Sequence, residues 1–157
     1  MAGLTGYTKV FAGDTTDVDT ALKCPLGTRA YDANGNEYIY LTGVASTAVG
    51  SWVTFDEAHI TTLAVADAKG RVAIAMAATV ASTYGWYQIY GKSITGLCST
   101  PTADNDILYL TASPGMVSGT DVAGDLISGT IARGAASPTV VLTVELSYPY
   151  CDDTANN

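Results

Sequence analysis

The chain has 157 residues, 48% of them hydrophobic and only 14% charged, with a formal net charge of −8. That length suits one domain with its own core, while seven Lys and Arg residues against fifteen Asp and Glu argue against direct binding of nucleic acid, which relies on cations to neutralise phosphates. No apolar run approaches the roughly 18 residues of a membrane span, and Met1-Ala2-Gly3-Leu4-Thr5 lacks the basic and apolar regions of a secretory signal, so synthesis in the cytosol is expected.

The first 22 residues read as an N-terminal arm or a first strand. The apolar cluster Tyr7, Val10 and Phe11 precedes a polar stretch carrying Asp14, Thr15, Thr16, Asp17, Asp19 and Thr20. An arm of this kind can add a strand to a neighbouring subunit, with Tyr7, Val10 and Phe11 as contact residues.

From residue 28 onward the pattern is a series of short strands. Thr28 to Tyr31 leads through Asp32-Ala33-Asn34-Gly35 into Glu37 to Thr42; Asn-Gly between two β-prone runs signals a hairpin. In the second of these strands Ile39 and Leu41 face one way and Tyr38 and Tyr40 the other. Ser51 to Phe55 follows. Residues 63–83 are rich in alanine and are the one helix candidate. Gly70 interrupts them, however, and Arg71 to Ala78 alternates Val72, Ile74 and Met76 with small alanines, which favours a strand.

Gly85 to Lys92 places Trp86, Gln88 and Tyr90 on one face and Tyr87 and Ile89 on the other. Ile107 to Thr111 ends at a Ser-Pro-Gly turn. Leu126 to Ala132 alternates Ile127 and Ile131 with Ser128 and Thr130. In the last strand Val140, Leu142, Val144 and Leu146 oppose Val141, Thr143, Glu145 and Ser147. The sum is an all-β chain: a compact β-barrel domain of short antiparallel strands over residues 23–150, with a flexible C-terminal tail over 151–157.

No arrangement for chemistry emerges. His59 is the one histidine, no G-x-S-x-G elbow is present, and no phosphate-cradling glycine motif occurs. Asp56-Glu57-Ala58-His59 supplies two ligands on one strand face, too few for a closed metal site. Asp32 to Glu37 is similar to a calcium loop but has its glycine and glutamate misplaced. Asp14, Asp17 and Asp19, with Asp121 and Asp125 far downstream, are a candidate for weak cation binding, and the simpler expectation is solvated loop residues. Cys24, Cys98 and Cys151 read as buried apolar fillers; whether Cys24 and Cys151 are bridged is a question of geometry. The expectation is a non-enzyme with no cofactor and no metal.

Ten tyrosines and two tryptophans against two phenylalanines form a set suited to surfaces with one edge buried and one wet. Trp86, Gln88 and Tyr90 are therefore candidate contact residues. Several segments together carry a resemblance. They are Leu26 to Arg29 with Tyr38-Ile39-Tyr40, Gly50 to Thr54, Gly70 to Ala75, Tyr84 to Gly91, and Gly124 to Gly129. By strand–turn rhythm and glycine placement over residues 24–148, the chain resembles the small head decoration, or cement, proteins of tailed bacteriophages.

The resemblance implies a β-barrel or β-tulip domain that assembles as a homotrimer on the outer face of the virion. There it binds between major capsid proteins and stabilises the head. The alternative is a carbohydrate- or receptor-binding β-module of a phage tail or surface adhesin, with Trp86, Tyr87 and Tyr90 stacking on sugar rings. A carboxylate-based hydrolase and a head-completion or tail protein of the same particle are the remaining readings.

Overall fold

The computed structural model describes residues 13–99, 102–136 and 140–153. Among them there is no helix, and eleven strands join in one sheet. The strands are β1 (Val18–Asp19), β2 (Arg29–Tyr31), β3 (Glu37–Thr42), β4 (Trp52–Phe55), β5 (Thr61–Leu63), β6 (Gly70–Ala75), β7 (Tyr84–Cys98), β8 (Tyr109–Leu110), β9 (Val117–Ser118), β10 (Ser128–Ala132) and β11 (Val140–Cys151). The chain is all-β, and within the alanine-rich stretch 63–83 the alternating residues form β6, which pairs with β4 as β5 does on the other side of β4.

The main path through the sheet runs β2-β3-β7-β11-β6-β4-β5. Pairing is antiparallel except for the single parallel contact of β7 with β9 at Cys98 and Val117. The expected barrel is not closed, because β2 and β5 are free ends of the path. The sheet nevertheless curls until β5 nears β3. The Thr42 N–H donates to the His59 carbonyl at 3.3 Å, and Thr61 Oγ1 donates to the Thr42 carbonyl at 2.8 Å. One backbone bond and the threonine hydroxyls bridge this seam where a full ladder would close a barrel.

Nor are all strands short. β7 has fifteen residues and β11 twelve, and they pair from Val140↔Cys98 to Ser147↔Tyr90. β11 continues to Cys151, so the segment expected as a tail begins inside a strand, and Cys151 is buried. β6, β7 and β11 are each antiparallel to the other two. Three straight strands cannot satisfy that condition, so one must bend. β11 bends at Tyr148, a non-glycine residue with φ 49, next to Pro149. The partner strand β10 kinks at the same level through Gly129, whose φ of 77 brings it against the Ser147 carbonyl.

Three apolar layers result. Inside the curled sheet pack Ile39, Leu41, Val53, Phe55, Ala73, Ala75, Tyr87 and Ile89. On the outer face of β4 and β6 lie Trp52, Val72 and Ile74, joined by Leu142, Val144 and Leu146 and covered by Leu108, Leu110, Val117 and Ile127. On the outer face of β3 and β7 lie Tyr38, Tyr40 and Trp86, covered by Cys24 and Leu26. β3, β4 and β6 are thus buried on both faces, which explains their near-continuous apolar runs.

Candidate interaction surface

Tyr7, Val10 and Phe11 lie outside the described residues. Trp86 and Gln88 are described, and both are buried: Trp86 is 9% exposed and Gln88 1%. The Trp86 ring stands 5.1 Å from that of Tyr40. Gln88 is flanked by Tyr38 of β3 and Ile74 of β6, and its amide donates to the Tyr90 carbonyl at 3.1 Å.

The cover over this face is the segment 17–26. It is pinned by Asp19, whose carboxylate accepts the Tyr40 hydroxyl at 2.7 Å and pairs with Lys23 at 2.6 Å. Burial raises the Asp19 pKa, but the hydrogen bonds from Lys23 and Tyr40 outweigh it and hold the carboxyl below its ordinary range. Nothing in the pattern of β7 itself announces this cover.

Tyr90 alone of the three is exposed, at 41%. The pairing of β3 with β7 slips by one residue between Tyr38↔Gln88 and Glu37↔Tyr90. This bulge takes Tyr90 out of the buried row and sets it opposite Glu37. A line of paired residues then crosses the sheet end: Tyr31↔Glu37, Glu37↔Tyr90 and Tyr90↔Ser147.

Tyr148, turned outward by its bend, closes the group. Its ring lies 5.3 Å from that of Tyr90 and 5.7 Å from the Arg29 guanidinium. Glu37 is the keystone, only 2% exposed. One carboxylate oxygen accepts from Arg29 Nη1 and the other from the Tyr148 hydroxyl, both at 2.7 Å. Paired this way, a buried carboxylate is tolerable; unpaired, it would be costly. The hydrogen bond to Glu37 pushes the Tyr148 phenol above its ordinary pKa.

The outcome is a tyrosine rim at one end of the sheet, with Tyr31 69%, Tyr148 52% and Tyr150 47% exposed beside Tyr90. Tyr150 also lines a shallow depression of about 440 Å³ shared with Ile60, Glu57, Lys69 and Arg71. There the Arg71 guanidinium sits 4.6 Å over the Phe55 ring and donates to the Asp56 carbonyl at 2.7 Å. Amphipathic rings around the cations Arg29, Lys69 and Arg71 and the carboxylates Glu37 and Glu57 can bind a partner by stacking, hydrogen bonding and desolvation. Of the rim tyrosines, sequence pattern singled out Tyr90 alone.

The remaining candidates are turns. The hairpin loops 32–36 and 56–60 share one design. Asp32 Oδ1 accepts the N–H groups of Asn34 and Asn36, as Asp56 Oδ1 accepts those of Ala58 and Ile60. The fourth residue of each loop is left-handed, Gly35 at φ 82 and His59 at φ 64. The His59 ring rests on Gly27, which has no Cβ to displace it.

Among the described residues, no group of three His, Cys, Asp or Glu side chains is placed to hold a metal ion. No disulfide joins the three cysteines, all of which are buried, and Cys24 and Cys151 lie in different apolar layers. Comparison with protein-family models, with curated proteins and with solved structures finds no match for this chain.

Proposed function

We propose that this chain is a structural virion protein that binds the outer surface of a phage head, between major capsid proteins, and stabilises it. The observation that carries the reading is the tyrosine rim of Tyr31, Tyr90, Tyr148 and Tyr150 on a chain with only 14% charged residues. Tyrosine is favoured where a surface is covered by another protein, and charge is depleted there. A stable contact needs about 1,200–2,000 Å² in total; in a homotrimer that area is divided among capsid subunits and trimer mates. Catalysis has no part in this reading, and the route is synthesis in the host cytoplasm followed by addition to the capsid exterior.

The test is direct. Purified particles are stripped of the protein, and their resistance to heat and osmotic shock is measured before and after re-addition. Loss on stripping and recovery on re-addition support the proposal. Absence from mature particles, or unchanged stability, defeats it. A Tyr31→Ala, Tyr90→Ala double variant should rebind stripped heads more weakly while melting at the wild-type temperature.

A second reading is a carbohydrate-binding module, favoured by the depression beside Tyr150 with its balanced charge. Trp86 and Tyr87 cannot serve as stacking platforms there, being buried; Tyr90 and Tyr150 would have to do so. Glycan binding that falls with Tyr150→Ala, together with indifference to capsids, selects this reading over the first.

A further inference from the structure

The five-residue loop between β2 and β3 carries the sequence Asp32-Ala33-Asn34-Gly35-Asn36. The described residues include three asparagines, and the structure treats them differently. Asn36 has both amide atoms engaged: Oδ1 accepts the Lys92 N–H at 3.0 Å and Nδ2 donates to Asp32 at 2.7 Å. Asn105 is likewise held, with Nδ2 on Asp104 at 3.2 Å and Oδ1 accepting from Arg133 at 2.5 Å. Asn34 is exposed and its side chain makes no hydrogen bond; only its backbone N–H is used, donated to Asp32.

The residue after Asn34 is also unlike the other two cases. Asn36 precedes Glu37 and Asn105 precedes Asp106, whereas Gly35 has no Cβ and nothing within 4 Å of where one would stand. No side chain of residue 35 therefore stands beside its amide, which is held by a long bond of 3.2 Å to the Asp32 carbonyl.

We propose that Asn34 is a self-modification site, where the chain converts asparagine to aspartate and isoaspartate with water as the one co-reactant. The Gly35 backbone nitrogen attacks Asn34 Cγ, a new N–Cγ bond forms, and the Cγ–Nδ2 bond breaks. The Gly35 amide proton leaves with the departing ammonia. Water then opens the resulting succinimide, at Cγ to give aspartate or at the backbone carbonyl to give isoaspartate. No electron changes hands.

The products matter for the rim described above. Either one adds a carboxylate two residues from Asp32 and three from Tyr31. Isoaspartate also inserts a methylene into the main chain between residue 34 and Gly35, next to Asn36, the residue that clips this loop to Lys92 and packs on Gly91. The site thus acts as a slow chemical clock on one edge of the rim.

The experiment incubates the folded protein at mildly alkaline pH and follows each asparagine by peptide mass spectrometry, with isoaspartyl methyltransferase labelling as a second readout. A one-dalton gain at Asn34 should outpace any gain at Asn36 or Asn105 by about tenfold or more, and methyl label should fall on the same peptide. Asn34→Gln, which leaves the backbone bonds in place, should abolish both signals while the variant melts as wild type does. No gain at Asn34, or equal gain at all three asparagines, overturns the proposal.

Discussion

Gly50 offers a test of how much of this fold depends on close backbone approach. It lies just before β4 with φ 85, and a Cβ there would stand 1.6 Å from the Thr95 carbonyl oxygen and 2.8 Å from its carbon. Both are backbone atoms of β7, so no rotamer change relieves the contact. Gly50 also donates to the Ala75 carbonyl at 2.8 Å and accepts the Leu97 N–H at 2.9 Å, and the Trp52 indole donates to the Leu97 carbonyl at 3.2 Å. Gly50→Ala must therefore push β7 away from β4 and strain these bonds.

Gly35 supplies the control. Its φ is 82, nearly the same, yet nothing lies within 4 Å of its missing Cβ. Gly35→Ala meets only the left-handed cost, about 1–2 kcal/mol. Gly50→Ala meets that cost plus a weakened hydrogen bond of about 1 kcal/mol and about 1–3 kcal/mol of overpacking, roughly 3–6 kcal/mol together. Urea denaturation of both variants measures the difference. If the two alanines destabilise by the same amount, the clash with Thr95 is not what fixes glycine at position 50.

Further outcomes are expected. Tyr40→Phe removes the hydroxyl that Asp19 accepts in a buried setting, and should lower unfolding free energy by about 1.5–3 kcal/mol, measured by denaturant titration. Trp52→Ala empties a fully buried site and should cost about 3–5 kcal/mol, read as a lowered thermal midpoint. Burial and the bond to Asp32 push the Tyr38 phenol up to about 12, and burial pushes the Cys151 thiol up to about 11. Both favour the neutral folded form, so their contribution is full below the ordinary values of these groups and is lost as pH rises through about 11 and 12; stability scanned by denaturation against pH should fall there, and less steeply in Tyr38→Phe. The Asp19 and Asp32 carboxyls shift the opposite way. Burial raises each, but hydrogen bonds outweigh it, so their contribution is present above the ordinary carboxyl range and disappears as pH falls below it, which an acid unfolding curve compared with Asp32→Asn would reveal.

Much of the strand pattern was legible because period-two alternation reports burial directly. In β11, Leu142, Val144 and Leu146 are buried while Val141 and Glu145 are exposed, as alternation requires. In β6, the large and small residues face two different apolar layers. The same rule fails over residues 127–132, at β10 and just before it: Ile127, Thr130 and Ala132 are buried and Ile131 is exposed, because the kink at Gly129 reverses the phase between Ile127 and Ile131. It fails again beyond Tyr90, where Gly91 resembles a strand end. That glycine, at φ 92, lets Asn36 approach while β7 runs on to Cys98. The rim was mostly hidden for a related reason. It is assembled by a bulge, a bend at Tyr148 and a buried Glu37 with partners 8 and 111 positions away along the chain, and such distances leave no periodic trace.

β4 and β6 form a wall shared by two apolar layers, with Trp52, Val72 and Ile74 on one side and Val53, Phe55, Ala73 and Ala75 on the other. A wall bonded to material on both sides behaves mechanically like the middle ply of a laminate. Bending it would compress one layer and stretch the other at once, and both resist because their side chains already touch. A push on either face is thus carried through to the opposite face with little give.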